Sequence, residues 1–245
     1  KMNTLLILIV IFGYVLLQAI EMASIGSRVA GRLAGRLALG TTLQQSIYTA
    51  SRFLLVIFLP ALAFLVESGI ELDDYVIIVI ISLMMAFLMA LLILIKLNFI
   101  QHYFLKVFLH YDGGQIPSAL FKSFYSKNYS KNSFKEINFY TFSELNTRKT
   151  FAAFSAYLFL ANGFFVSFLL AIKFPEYRLT LSQFTAAFHG VGALIVAFYL
   201  DPMLSRSMDN NVLDEVWKQN VYSILYGRVM SYLFVSLIFL MYFVL

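Results

Sequence analysis

Six long apolar runs, separated by shorter polar segments, dominate the hydrophobicity pattern of this chain. They cover residues 4–20, 47–66, 75–95, 151–172, 183–200 and 221–245, all bounds being approximate. Each run is close to the roughly 20 residues that a helix needs to cross a hydrocarbon core of about 30 Å. The pattern therefore predicts an all-α, polytopic membrane protein with about six transmembrane helices in a single transmembrane domain.

Residues 21–46, between the first two runs, are striped with arginine. Arg28, Arg32 and Arg36 recur every four residues, which puts them on one face of a helix. Gly31 and Gly35 form a small-xxx-small pair that lets another helix approach closely. We predict a re-entrant or interfacial helix here, distinct from the six spans.

Two interpretations of these arginines remain open. They can lie at headgroup level in a positive-inside cytoplasmic loop, or they can form a site for an anion such as phosphate or diphosphate. Arg52 lies a few residues into the second run and Arg228 lies inside the sixth. Arginines inside apolar runs are costly unless they face an anion, a hydrated cavity or the interface, so Arg52 favours the anion site. Arg228 can either snorkel back to the cytoplasmic side or complete the cavity.

Residues 96–149 are predicted to be an amphipathic cytoplasmic segment. Lysines alternate with phenylalanines and tyrosines through residues 115–149. This mixture also occurs in proteins that bind single-stranded nucleic acid, but no nucleic-acid fold surrounds it here. In a membrane protein it favours segments that lie in the interface, with lysines on anionic lipids.

Composition supports the membrane assignment and argues against an enzyme. Hydrophobic residues make up 61% of the chain and charged residues 13%, with a mean hydropathy of +0.82, outside the range of soluble domains. The absence of cysteine excludes disulfides and thiolate chemistry. His102, His110 and His189 are far apart and no catalytic or metal-binding motif is present, so we expect no catalytic residue, metal or cofactor. His189 is predicted to be packed or hydrogen-bonded.

The distribution of lysine and arginine predicts the orientation. The polar segments after the first and third runs are basic, and the positive-inside rule therefore makes them cytoplasmic. The loop after the fifth run belongs on the same side of the membrane. The acidic segment 67–74 and both termini are then expected outside.

Short motifs near both ends of the chain carry a resemblance to a known family. They are Ile20-Glu21, Ala23, Ser27-Arg28, Ala30-Gly31, Leu39, Ser51-Arg52 and Pro60 near the amino terminus, and Leu200-Asp201-Pro202, Asp209 and Gly227-Arg228 near the carboxyl terminus. In this order they resemble the Amj proteins, the alternate lipid II flippases of bacterial cell-wall synthesis. The resemblance is collinear over most of the chain, and the middle third matches only in hydropathy.

The resemblance implies a lipid II flippase in the bacterial cytoplasmic membrane. The arginine-lined cavity expected to hold the diphosphate consists of Arg28, Arg32, Arg36, Arg52 and Arg228. Glu21 is expected to weaken that hold for release, and Asp201 either contributes to transport or caps a turn ahead of Pro202. Six helices are few to enclose a disaccharide-pentapeptide headgroup, so a homodimer or an open groove is compatible with this role.

Two other functions remain open. A transporter of another polyprenyl-phosphate-linked glycan would use the same arginines. A non-transporting membrane partner of cell-wall synthesis would depend on residues 115–149 instead.

Overall fold

The protein is a bundle of helices, described by a computed structural model over residues 4–111, 113–125, 141–209 and 214–244. Within these ranges the regular structure is entirely helical, and six helical stretches are long and apolar enough to cross a membrane. The predicted all-α, six-span polytopic fold is confirmed.

Several spans consist of more than one helix. The first contains α1 (Thr4–Ala23) and α2 (Ile25–Leu33), the second α3 (Leu37–Ser51) and α4 (Phe53–Glu67), and the third α5 (Leu72–Ile95). Helices α6 (Leu97–His110) and α7 (Ile116–Tyr125) precede the fourth span, α8 (Thr147–Lys173). The fifth contains α9 (Arg178–Ile195), a π-helical turn (Val196–Leu200) and α10 (Asp201–Asp209), and the sixth is α11 (Asp214–Val244).

The arginine-striped segment 21–46 is not a separate helix, which corrects the sequence prediction. It forms the end of the first span, a turn at residues 34–36 and the start of the second span. Gly35 adopts a φ of +66° in this turn, a conformation that glycine takes without a steric penalty. Helices α2 and α3 then pack so closely that a Cβ atom on Gly31 would lie 2.7 Å from the Cα of Gly40. Of the predicted small-xxx-small pair, Gly31 therefore lies at the contact between α2 and α3, whereas Gly35 lies in the turn that joins them.

The fifth span does not end near residue 200, where the apolar run 183–200 predicted its end, but continues through Asp201-Pro202. The π-helical turn Val196–Leu200 precedes it, and α10 continues the helix through Met208. Pro202 is tolerated because it follows the π-helical turn, whose altered hydrogen-bond pattern accommodates a residue without a backbone N–H.

The predicted amphipathic segment 96–149 is only partly within the described residues. Helix α6 packs on α2, and Phe104, Phe108 and Ala119 contribute to a small second core. At Thr141 the backbone amide donates a hydrogen bond to Glu144, and this interaction lowers the pKa of the Glu144 carboxyl. Residues 126–140, including three of the lysines, lie outside the described ranges. Binding of the segment to anionic lipids stays a prediction.

The main core lies among α1, α4, α5, α8 and α11. Tyr14 donates a hydrogen bond to the Asn162 side chain and Tyr75 donates one to the Phe165 carbonyl, so two buried hydroxyls link these helices. The fifth span lies at the edge of the bundle and packs mainly on α8. Only 6% of its most apolar stretch is buried, against 33–61% for the other five spans.

Candidate functional site

Three spans are irregular beside one cluster of charged side chains. The α-helical hydrogen-bond pattern deviates for one residue at Ser24 in the first span and at Arg52 in the second, although both residues keep helical dihedral angles. The fifth span changes to the π-helical turn just before Asp201. Glu21 lies within one turn of Ser24. Local irregularities of this kind in helices often occur at functional sites. We therefore define the candidate site as the ion cluster Glu21, Arg28, Arg52, Asp201 and Arg228.

Glu21 is the buried centre of the ion cluster. One of its carboxylate oxygens lies 2.9 Å from the Arg228 Nη2 and the other lies 3.2 Å from the Arg52 Nη2. The Arg228 contact is a hydrogen bond, whereas the Arg52 contact is an ion pair without hydrogen-bond alignment. The carboxylate is 1% exposed, so both arginines interact with it at low dielectric, where each contact is stronger than in water.

Arg228 is held by partners on several sides. Its Nη2 also donates to Gln18 at 2.6 Å, its Nε donates to the Tyr232 hydroxyl at 2.7 Å, and its guanidinium lies 4.6 Å from the centre of the Tyr157 ring. Gln18 was visible in the sequence as the lone polar residue of the first apolar run, three positions before Glu21. The role of Tyr232, four residues after Arg228, was missed, although this helical spacing brings the two side chains together.

Arg28 pairs with Asp201 at the edge of the cluster. Its Nη2 donates to the carboxylate at 2.7 Å, joining α2 to the fifth span. The Asp201 side chain is 33% exposed, whereas the Arg28 side chain is 2% exposed. The Nε and Nη1 atoms of Arg28 are buried and have no hydrogen-bond partner within the described part of the chain. Such unpaired donors are costly unless a ligand or water supplies an acceptor.

A cavity of about 200 Å³ adjoins the ion cluster. Glu21, Asp201 and Arg228 line it, together with residues of α3, α8 and the fifth span. Gln44 also lines it and presents a buried side-chain oxygen that has no hydrogen-bond partner among the described residues. The cavity is smaller than the roughly 300–1,000 Å³ pockets that take drug-sized ligands, so its size suits a small polar group.

Arg32 and Arg36 lie apart from the ion cluster. The Arg32 guanidinium lies 4.9 Å from the centre of the Trp217 ring, and its Nη1 is 3.5 Å from the Ser207 carbonyl oxygen. Arg36 lies beyond the end of α2 and donates to the Phe108 carbonyl at 3.0 Å. The four-residue spacing does not keep the three arginines on one face because the turn at Gly35 interrupts the helix.

His189 contacts the ion cluster through Arg52, although the sequence predicted only that it is packed or hydrogen-bonded. Its Nε2 lies 3.1 Å from the Arg52 Nη1, and its Nδ1 lies 3.2 Å from the Leu160 carbonyl oxygen. Arg52 also stacks on Tyr48, with its guanidinium 4.1 Å from the ring centre. No group of three or more His, Asp or Glu side chains suited to a metal occurs within the described ranges.

The charges in the cluster do not balance. Three guanidinium groups face two carboxylates, which leaves an excess of one positive charge in a largely buried environment. An excess positive charge beside a small cavity, with unpaired donors on Arg28, favours an anionic ligand.

Comparison with known proteins identifies the family. The family model Amj, described as "Alternate to MurJ", matches residues 14–244. This chain belongs to the Amj family. No curated protein and no solved structure matches it. As a member of Amj it is a multi-pass membrane protein of a transporter family, and membership supports a role like that of a lipid II flippase.

Proposed function

We propose that this Amj protein moves lipid II across the bacterial cytoplasmic membrane and that the ion cluster binds the diphosphate of the substrate. A flippase must give a charged headgroup a polar path while the lipid tail stays in hydrocarbon. Family membership supports the transport step, and the excess positive charge of the cluster supports the anion.

The two unpaired donors of Arg28 carry the proposal. Nε and Nη1 lie on opposite sides of the guanidinium, and each forms a paired N–H edge with Nη2, the arrangement that binds phosphate oxygens bidentately. Asp201 occupies Nη2, so the diphosphate would bind beside this carboxylate and compete with it for the arginine. Arg52, whose side chain is 23% exposed, is the second proposed contact.

The two carboxylates act as internal counter-ions in this proposal. Glu21 and Asp201 hold the arginines while the site is empty, which avoids the cost of burying unpaired cations. They also limit how tightly the diphosphate is held, because each competes for the same guanidinium groups. Release on the far side of the membrane then needs no additional ligand.

Arg228, Arg32 and Arg36 have supporting roles. Arg228 adds positive charge to the cavity while its hydrogen bonds hold α11 against α1. Arg36 is exposed and Arg32 partly exposed near the turn between α2 and α3, where their charge would attract an anionic headgroup. Contacts with anionic lipids and formation of a homodimer stay predictions.

The size of the cavity favours recognition of the phosphates rather than the glycan. A volume of about 200 Å³ has no room for a disaccharide-pentapeptide, which would remain outside it. Because a cavity of this size would recognise the phosphates and not the glycan, the second candidate function is transport of another polyprenyl-phosphate-linked glycan.

The experiment uses cells in which this protein is the only lipid II flippase. Arg28→Gln and Arg28→Lys should both reduce lipid II accessible at the outer face about tenfold or more, since charge-assisted hydrogen bonds contribute about 1.5–3 kcal/mol. The lysine variant keeps the charge but loses the paired donors. Arg206→Gln, which removes an exposed arginine from α10, is the matched control and should have no effect. Normal outward lipid II in both Arg28 variants would contradict the proposed site.

A further inference from the structure

We infer that the site takes up one proton when it binds the diphosphate, and that His189, which contacts the ion cluster through Arg52, is the group that accepts it. The inference rests on the proposed function, because it assigns a second ligand to the same site. It assigns His189 the role of a proton-binding residue beside the cavity.

The contact between Arg52 and His189 fixes the protonation of the ring. A guanidinium has only donors, so the Arg52 Nη1 donates and the His189 Nε2, 3.1 Å away, accepts with its lone pair. The ring proton is then on Nδ1, which donates to the Leu160 carbonyl at 3.2 Å. His189 is therefore a neutral imidazole in this structure.

Protonation of Nε2 is incompatible with this contact. An imidazolium would present an N–H to the Arg52 N–H and place two positive charges side by side. The Glu21 carboxylate lies beyond Arg52 and also pairs with Arg228. It therefore compensates only part of the positive charge that Arg52 and a protonated His189 would carry together. The groups from α8 that contact the ring are the Leu160 carbonyl and the Phe164 ring, neither of them charged. Arg178, on the same helix, lies about three turns away.

An anion between Arg52 and His189 reverses this preference. Arg52 and His189 do not line the cavity themselves, but Tyr48, one turn before Arg52, and Ala193, one turn after His189, both do, so the pair lies within about one helical turn of it. A phosphate oxygen that separates them would accept hydrogen bonds from the Arg52 N–H and from a protonated Nε2. The proton comes from the solvent, forms an N–H bond at Nε2 and returns to the solvent when the anion departs, while the anion itself is held without a covalent bond.

Linkage then predicts how binding depends on pH. The anion favours the charged imidazolium, so its affinity should rise as pH falls, with a slope of up to about one decade per pH unit. The slope should vanish below the pKa of the ring in the empty site and above its pKa in the occupied one. Proton uptake should approach about one per bound ligand between these limits.

Calorimetric titration of the purified chain in detergent with farnesyl diphosphate tests the inference. Repeating the titration in buffers of different ionisation enthalpy gives the number of protons taken up. His189→Gln is the matched variant, because its amide oxygen also accepts from Arg52 but does not titrate. The diphosphate's own titration contributes equally to both proteins, so the difference between them should be about one proton.

The possible results separate the inference from the proposed function. Equal proton uptake by the two proteins, with binding intact in both, overturns the role of His189 and leaves the diphosphate site standing. Absence of binding to the unmodified chain overturns the proposed site and this inference with it.

If the variant fails to fold, farnesyl sulfate replaces the diphosphate, because its charge does not change near neutral pH. A flat pH dependence of its binding to the unmodified chain contradicts the inference, and stronger binding at lower pH supports it.

Discussion

The two ends of the ion cluster differ in how completely their arginines are satisfied. Arg228 has acceptors from α1 and α11 and an aromatic ring from α8, all in helices of the main core. Arg28 has a single carboxylate from the peripheral fifth span, and two of its donors are unpaired in the described structure. One buried arginine is therefore fully satisfied by the bundle, whereas the other keeps the two unpaired donors on which the proposed anion site rests. Burial of a charge does not by itself identify a binding residue.

Loss of Arg228 should have the largest effect, and this effect should be on folding. Arg228→Gln removes a partner from the buried Glu21, and breaking a buried ion pair from one side costs about 3–5 kcal/mol. We expect a large drop in the midpoint of thermal unfolding in detergent, whereas Arg206→Gln should leave it unchanged.

Adding Glu21→Gln to Arg228→Gln should restore part of that loss, because no uncompensated carboxylate remains. An unchanged midpoint for Arg228→Gln alone would mean that Arg228 is not a structural residue.

The attachment of the fifth span should show the next largest effect. A Cβ atom on Gly192 would lie 2.5 Å from the Leu160 Cβ and 2.6 Å from the Ala156 carbonyl oxygen, so Gly192→Ala should separate α9 from α8. Overpacking of this kind costs about 1–3 kcal/mol, measured as a lower midpoint of thermal unfolding. Gly190→Ala is the control, because a Cβ there has no neighbour within 4 Å. Equal midpoints for the two alanine variants would show that the α8–α9 contact is not close in solution.

Asp201→Asn should have the smallest effect, and it should strengthen binding. The change removes the competitor for Arg28 and a negative charge that lines the cavity. Because Asp201 is one-third exposed, solvent screening limits the gain in affinity for farnesyl diphosphate to about tenfold or less. Asp73→Asn, an exposed site at the start of α5, controls for the change in net charge. Weaker binding would mean that Asp201 is needed to position Arg28.

The sequence was sufficient to predict the number of spans but not the paths of the helices. Runs of about 20 apolar residues determine how many helices can cross a bilayer, and this information is local. The ends of the helices depended on tertiary contacts instead. The close approach of Gly31 and Gly40 lets α2 and α3 continue the spans as a hairpin, and the π-helical turn lets the fifth span continue through Pro202.

The residue types in the ion cluster were predictable, whereas their partners were not. Arginine and glutamate within apolar runs stand out in any membrane sequence. Arg28 meets Asp201 173 positions later, and Glu21 meets Arg228 207 positions later. Nothing in the local pattern distinguishes these pairs from other pairings of the same charges. The contact between His189 and Arg52 was missed for the same reason.

The π-helical turn makes the number of residues before Asp201 as important as their identity. Each residue of an α-helix turns the chain by about 100° about the helix axis, and a π turn accommodates one residue more than an α turn. If Val196–Leu200 relaxed to an α-helix without losing a residue, α10 would rotate by about that angle and Asp201 would point away from Arg28, although every charged residue is still present. Deleting one residue from the turn at the same time would cancel this rotation, because the π turn holds that extra residue. The match between chain length and helix type in this short turn is thus a determinant of the site that composition alone does not reveal.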